Sequence, residues 1–120
     1  MVDLPETAVR FLRLTETRNL SAAKEFLAAD VRFIAPGGAI FDDLDAYVAG
    51  GSRRYRSIQK EITGTHTADA GAERTAVYVF GTLRGIALNG DPISGVRFID
   101  RLTFDHDRIV LHEVWNDLAL

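Results

Sequence analysis

A carboxylate in the middle of an otherwise apolar strand face is the residue of this sequence that most needs a chemical explanation. In Phe98-Ile99-Asp100-Arg101-Leu102-Thr103-Phe104 a period of two puts Phe98, Asp100, Leu102 and Phe104 on one face, and Ile99, Arg101 and Thr103 on the other with Arg97. Burying a charge is costly unless it is paired or neutralised, and apolar surroundings raise a carboxyl pKa. A sheet can hold a proton donor near neutral pH in this way. No basic residue shares that face of the strand, so one reading is a buried, protonated Asp100 that carries function. Asp100→Asn would then leave the fold about as stable. The competing reading is a structural aspartate paired to an Arg or Tyr from elsewhere.

His112 is the natural partner, because an Asp–His pair in an apolar setting is a usable acid/base couple. Its position depends on the turn. A three-residue connection Asp105-His106-Asp107 lays Asp100 opposite His112, with Val110, Val114 and Asn116 alongside. A connection of only His106-Asp107 puts Glu113 and Trp115 there instead. A merely hydrogen-bonded core histidine is the plain alternative. Arg54 and Tyr55 could orient a polar substrate group, Arg54 suiting a carboxylate or acyl phosphate, although a solvated surface charge is the favoured reading of Arg54 from sequence. Tyr47 and Tyr78 read as core fillers, and Trp115 as an interface or core anchor. His66, His106 and His112 are scattered, with no HxH or HExxH spacing, so no metal site is expected. Gly81, Gly85, Gly90 and Gly95 sit on strands and turns rather than before a helix, which suits bulges and bends and not a phosphate loop. No Gly-x-Ser-x-Gly elbow is present.

The elements that must position these residues divide by period. Leu4, Ala8, Phe11, Leu12 and Thr15 recur at helical spacing behind Asp3 as a cap. A second helix is predicted from an Asn19 cap through Leu20, Ala23, Phe26 and Leu27 to Ala29-Asp30, and a short strand over Val31–Ala35 stops at Pro36-Gly37-Gly38. Asp42 or Asp43 caps a third helix carrying Leu44, Tyr47 and Val48, ended by Gly50-Gly51. The period then becomes two. Strands are predicted over Tyr55–His66, Thr75–Leu88, Ile93–Phe104 and Arg108–Asn116, with turns at Asp69-Ala70-Gly71 and Asn89-Gly90-Asp91-Pro92. Helices followed by a meander of long strands make an α+β fold, with the helices on one face of an antiparallel sheet.

Length and composition narrow the function classes. The 120 residues suit one domain spanning the chain, and their 47% hydrophobic content suffices for a core without staples. Cysteine is absent, which removes disulfides, thiolate metal sites and a cysteine nucleophile, and fits a reducing cytoplasm. A net charge of −3, with Arg53-Arg54-Tyr55-Arg56 as the densest basic stretch, argues against nucleic acid as partner. The first residues carry no basic head or apolar core, so no signal peptide is expected, and no apolar run is long enough to span a membrane.

Two stretches resemble a known superfamily. One is Phe26-Leu27-Ala28-Ala29-Asp30-Val31-Arg32-Phe33 with Pro36-Gly37-Gly38. The other runs from Phe98 to Phe104 and closes with Arg108–Glu113 and Trp115-Asn116-Asp117. Over nearly its whole length the chain is similar to the nuclear transport factor 2-like (SnoaL-like) superfamily, which includes ketosteroid isomerases, SnoaL-type polyketide cyclases and limonene epoxide hydrolases. The resemblance implies a cone: about three N-terminal helices on a strongly curved antiparallel sheet around a pocket. It favours the register that faces Asp100 toward His112. It also implies which activities are incomplete. The ketosteroid isomerase base falls on Ala35 and its tyrosine on Phe11, leaving only the late aspartate, Asp100. The epoxide hydrolase set falls near Val79, Gly81 and Val114. The cyclase histidine falls on Asp100 and its catalytic aspartate on Val114.

The resulting expectation is a cofactor-free enzyme of the lyase, isomerase or cyclase type acting on a small, largely apolar or amphipathic molecule. Asp100 and His112 are its catalytic pair. Tyr55, Arg54, Asn116, Phe11, Phe33, Phe98, Leu102 and Val114 contact the ligand, and Phe26 and Phe104 complete the apolar lining. A non-catalytic small-molecule or partner-binding module is the alternative. A homodimer is expected through the outer sheet face at Ile99, Thr103, Ile109, Leu111 and Trp115.

Overall fold

The computed structural model describes residues 2–118. Helix α1 (Leu4–Glu16) begins where expected: the Glu6 amide donates to Asp3 Oδ1 at 3.1 Å, and Pro5 occupies the first turn, where its missing N–H costs nothing. Its stripe of Ala8, Phe11 and Leu12 is buried.

Helix α2 (Leu20–Lys24) is shorter than the apolar spacing predicts, and strand β1 (Leu27–Ile34) starts inside the expected helix. A sheet contact takes the segment away: the Ile109 amide donates to the Phe26 carbonyl at 2.8 Å, and Leu27 pairs with Ile109. Tertiary pairing overrides the weak helical preference of a short run. Asn19 stands at the N-cap but makes no side-chain cap bond. After the Pro36-Gly37-Gly38 turn a two-residue strand, β2 (Ile40–Phe41), returns along β1; nothing in its sequence announced it. Helix α3 (Leu44–Gly51) is capped by Asp43, whose Oδ1 accepts the Ala46 amide at 2.7 Å.

Four long strands follow: β3 (Tyr55–Gly71), β4 (Arg74–Ala87), β5 (Pro92–Asp105) and β6 (Arg108–Asn116). The first turn lies later than predicted, at Ala72-Glu73, with φ of 50° and 63°. That pair of left-handed residues gives a hairpin twist matching the strands. The six strands form one sheet in the order β2-β1-β6-β5-β4-β3, antiparallel except for β1 beside β6. Its inner face takes α1 against Val77, Val79, Leu83, Phe98, Leu102, Phe104 and Ile109, all buried, with Phe33 and Leu44 closing the same core. Burying side chains of this size stabilises by roughly 1.5–3 kcal/mol each before entropy is counted.

Gly81 and Gly85 allow the curl. A Cβ on Gly81 would lie 1.9 Å from the Glu61 carbonyl oxygen, and one on Gly85 would lie 2.0 Å from that of Ser57. Bulges interrupt the β3–β4 ladder beside these glycines, so β3 folds tightly across β4 and the sheet closes toward the helices.

The hairpin joining β5 and β6 resolves the register in an unanticipated way. The connection is the short one, His106-Asp107, with Asp105 paired to Arg108. An extra residue is then absorbed inside β6, since Phe104 pairs with Ile109 while Thr103 pairs with Leu111. This bulge at Val110 restores the parity that the short turn would have lost. Asp100 pairs with Val114 and Leu102 with His112, so His112, Val114 and Asn116 share the inner face with Asp100. His112 is therefore a diagonal neighbour of Asp100 rather than its direct opposite. The bulge also turns Ile109 into the core, fully buried, which removes it from the outer face where a dimer contact was expected.

Candidate functional site

A cavity of about 240 Å³ opens between the C-terminal half of α1, the Ala35–Ala39 turn, α3 and the inner faces of β3, β5 and β6. Its wall is largely apolar, with Leu12, Val48, Ile58, Leu83, Phe98 and Val114. Polar groups enter from Tyr47, Arg54, Tyr55, Lys60, His112 and Asn116.

Behind this wall lies a buried charge cluster. His112 Nε2 is 2.8 Å from Asp100 Oδ2, with side-chain exposures of 2% and 0%. Lys60 Nζ reaches the same oxygen at 3.6 Å and sits 5.5 Å from the Phe98 ring centroid. Burial pushes the Asp100 carboxyl up, but the Lys60 ammonium and the His112 hydrogen bond outweigh it and hold the group below the usual carboxylate range. Asp100 is thus ionised, not a protonated donor. The expectation from its own strand fails because the compensating cation comes from β3.

An ionised carboxylate fixes the histidine. Nε2 must carry the proton it donates to Asp100, which leaves Nδ1 as the ring atom that gains or loses one. Nδ1 is buried and has no hydrogen-bond partner. Aromatic rings hold the imidazole in place: Phe11 at 5.7 Å and Phe33 at 5.9 Å meet it edge-on, and Tyr47 lies tilted at 5.7 Å. Tyr47 in turn stacks on Phe33 at 5.1 Å. Burial first, and then the charge of Asp100, hold the Tyr47 phenol well above its ordinary pKa, so it stays a neutral donor.

The residues singled out from sequence separate into two shells. Arg54, Tyr55, Phe98, His112, Val114 and Asn116 line the cavity. Asp100, Phe11, Phe33 and Leu102 do not; they are fully buried behind the wall, where they support His112 and the core. Phe104 belongs to the same core, and the half-buried Phe26 packs at its edge with Arg10 over its ring. Ala35 is on the wall and contributes only a methyl group there.

Sequence reasoning missed Lys60, Glu16 and the role of Tyr47. Lys60 had the same signal as Asp100, a charge between Ile58 and Ile62 on an apolar face at period two. Glu16 accepts the Lys60 amide at 2.6 Å and the Arg13 guanidinium at 3.0 Å, pinning the end of α1 to β3. The Gly50-Gly51 pair lines the cavity and lets Phe41 and Tyr55 pack closely against the end of α3. A Cβ on Gly51 would lie 2.7 Å from the Tyr55 hydroxyl, and one on Gly50 would lie 3.1 Å from the Phe41 ring. Among the described residues no cluster of three or more His, Asp or Glu could hold a metal ion, and no helix is long and apolar enough to cross a membrane.

Comparison with solved structures places this architecture among known folds. An NTF2-like protein of unknown function from Burkholderia pseudomallei K96243 superposes with a TM-score of 0.78 at 23% identity, over 98% of this chain and 93% of that one. A hypothetical protein with a ketosteroid isomerase-like fold from Catenulispora acidiphila, solved with trimethylamine, gives 0.73 at 15% identity over 94% and 86%. TerC, co-crystallised with polyporic acid, gives 0.71 at 14% identity over 93% and 89%. At these identities the likeness is one of fold. No curated protein matches the sequence significantly. The family model of the SnoaL-like domain, however, matches residues 8–112, from the first turns of α1 to the cavity histidine, and the chain belongs to that family.

Proposed function

We propose that the chain acts as one SnoaL-like unit that binds a small, largely apolar molecule in the cone and moves a proton on it without a cofactor, as a lyase, isomerase or cyclase. One observation carries the reading: a cavity-lining histidine whose Nε2 is held by an ionised, fully buried aspartate while its Nδ1 is buried and unpartnered. A core histidine kept only for packing would have both nitrogens satisfied. In this reading His112 is the catalytic acid/base and Asp100 a positioning residue that fixes its tautomer. Tyr55, Arg54 and Asn116 orient the ligand, and Phe98 and Val114 contact its apolar body. The cavity is slightly below the roughly 300 Å³ at which drug-sized sites begin, which favours a compact substrate. TerC, solved with polyporic acid, is a precedent for a small organic ligand on this fold.

Two further parts of the reading concern assembly and place. Ile99 and Trp115 are cross-strand neighbours on the outer sheet face, exposed by 45% and 50%, and we assign them to a homodimer contact. The lack of cysteine supports a reducing cytoplasm.

The test combines a melting screen of small organic molecules with proton exchange. Ligands that raise the melting temperature are incubated with the protein in D₂O, and carbon-bound hydrogen is followed by NMR. Enzyme-dependent exchange that drops by about 10²-fold or more in His112→Gln, with binding retained, is expected of a general base. Ligands that bind both proteins alike and exchange with neither would establish the second reading, a non-catalytic binding module. Ala35 on the cavity wall, without a carboxylate, is the feature that favours that alternative.

A further inference from the structure

The charges around the cavity do not cancel: among the described residues Arg18 and Arg54 both line it without an ion pair, but Arg18 Nη1 already donates to the Thr15 carbonyl at 2.9 Å. Lys60 is balanced by Asp100 at 3.6 Å. Glu16 is balanced by Arg13 at 3.0 Å and accepts the Lys60 amide as well. Arg54, on the cavity wall just after α3, takes part in no ion pair among the described residues, and its Nη2 is buried without a hydrogen-bond partner. A buried guanidinium nitrogen with nothing to donate to is costly. The site therefore stabilises whatever supplies an acceptor there. The neighbouring polar wall groups, the Tyr47 and Tyr55 hydroxyls, can add donors to the same acceptor.

We propose that Arg54 is the anchor for a carboxylate, so that the cavity selects small apolar acids over neutral molecules of the same shape. This rests on reading the cavity as a ligand site. A planar fork of N–H donors matches a carboxylate in a bidentate way that no neutral group reproduces, and the low dielectric of an apolar wall strengthens the pair. The apolar wall at Leu12, Ile58, Leu83, Phe98 and Val114 takes the hydrocarbon body. A carboxylate on the Arg54 side and a hydrocarbon body along the sheet bring the ligand's acidic hydrogen within the same small cavity as His112.

The probes are cyclohexanecarboxylate and its neutral isostere cyclohexanecarboxamide, titrated calorimetrically at pH 7 into the wild-type protein, Arg54→Met and Arg54→Lys. Wild type should bind the carboxylate at least about tenfold more tightly than the carboxamide, as one charge-assisted hydrogen bond would give. Arg54→Met should abolish that preference, and Arg54→Lys should keep the charge but lose part of it with the fork. Should one variant fail to fold, the wild-type ratio and the other variant still decide. A carboxamide bound as well as the carboxylate, or a preference that survives in Arg54→Met, overturns the anion assignment and leaves the cavity reading standing. Binding of neither probe overturns both.

Discussion

Strands β5 and β6 carry two acid–base pairs of nearly equal length on opposite faces of the sheet, Arg101–Glu113 on one rung and Asp100–His112 diagonally across the two rungs that flank it. On the inner face His112 Nε2 lies 2.8 Å from Asp100, and on the outer face Arg101 Nη2 lies 2.7 Å from Glu113. Their surroundings differ completely. The inner pair is 2% and 0% exposed, ringed by aromatics and joined by Lys60, whereas the outer pair is 36% and 15% exposed. The outer contact is close without being aligned, since Glu113 Oε1 has no hydrogen-bond partner despite the nearby guanidinium. Distance alone therefore ranks the two as equals, and burial separates them. In the inner pair neither partner can turn to water if the other is lost. In the outer pair Arg101 is partly exposed and can turn to water, although Glu113 Oε1 is itself buried.

The largest expected effect follows from that difference. Asp100→Ala should destabilise the fold by about 3–5 kcal/mol, because it leaves Lys60 nearly buried without a counter-charge. Asp100→Asn should cost about 3 kcal/mol even though the amide can still accept from His112. The reverse result, an Asn variant as stable as wild type in a urea melt, would mean that Asp100 is neutral in the fold. The sign of the pH dependence follows from the same assignment. The folded carboxyl is held below its unfolded value of about 3.9, so its contribution is fully present above that pH and disappears as pH falls through the folded value. Acid titration of stability should be steep below about pH 4 in the wild type and markedly flatter in Asp100→Asn.

Much of this was readable in the residues, and the failures have specific causes. The period of two placed Asp100 on an apolar face, and the face it occupies is the inner one. His112 also belongs there, but by a compensation invisible to simple counting: a short turn and a bulge at Val110, each shifting parity, cancel. The protonation state of Asp100 was misjudged because a strand's own sequence names only its own neighbours, and Lys60 arrives from β3, two strands away in the sheet. Helix α2 was overextended because Phe26 and Leu27 fit helical spacing, while their partner Ile109 is far along the chain. Residues that fill the core and residues that touch a ligand look alike in sequence. Phe11 and Phe98 are both buried phenylalanines, and only the three-dimensional arrangement puts Phe98 on the cavity wall and Phe11 behind it.

A smaller effect is expected on the outer face. Glu113→Gln should change stability by no more than about 1 kcal/mol, and the difference should shrink as salt is raised to about 1 M. The loss in Asp100→Asn should be nearly independent of salt over the same range, because the inner cluster is shielded from ions. A Glu113→Gln variant as damaged as the Asp100 variant would erase the contrast between the two faces.

The smallest effect on folding, and the sharpest on assembly, is expected at Trp115. Its ring is 50% exposed beside Ile99, and it is absent from the buried core, so Trp115→Ser removes little that holds the chain folded. Changes at such surface positions stay within about 0.5 kcal/mol. A two-fold contact would place the Ile99–Trp115 pair against the same pair of a second copy, with the Arg101–Glu113 ion pair close by on the same face. Burying a tryptophan and an isoleucine from each partner is the apolar centre that such an interface needs, and truncation at a central tryptophan commonly costs more than 2 kcal/mol of binding. Sedimentation at high micromolar concentration should show the wild type as a dimer and Trp115→Ser as a monomer. The wild-type melting temperature should rise with protein concentration while that of the variant does not. A wild-type monomer under those conditions would leave the outer face as ordinary solvated surface, and the contrast between the faces would then rest on burial and charge alone.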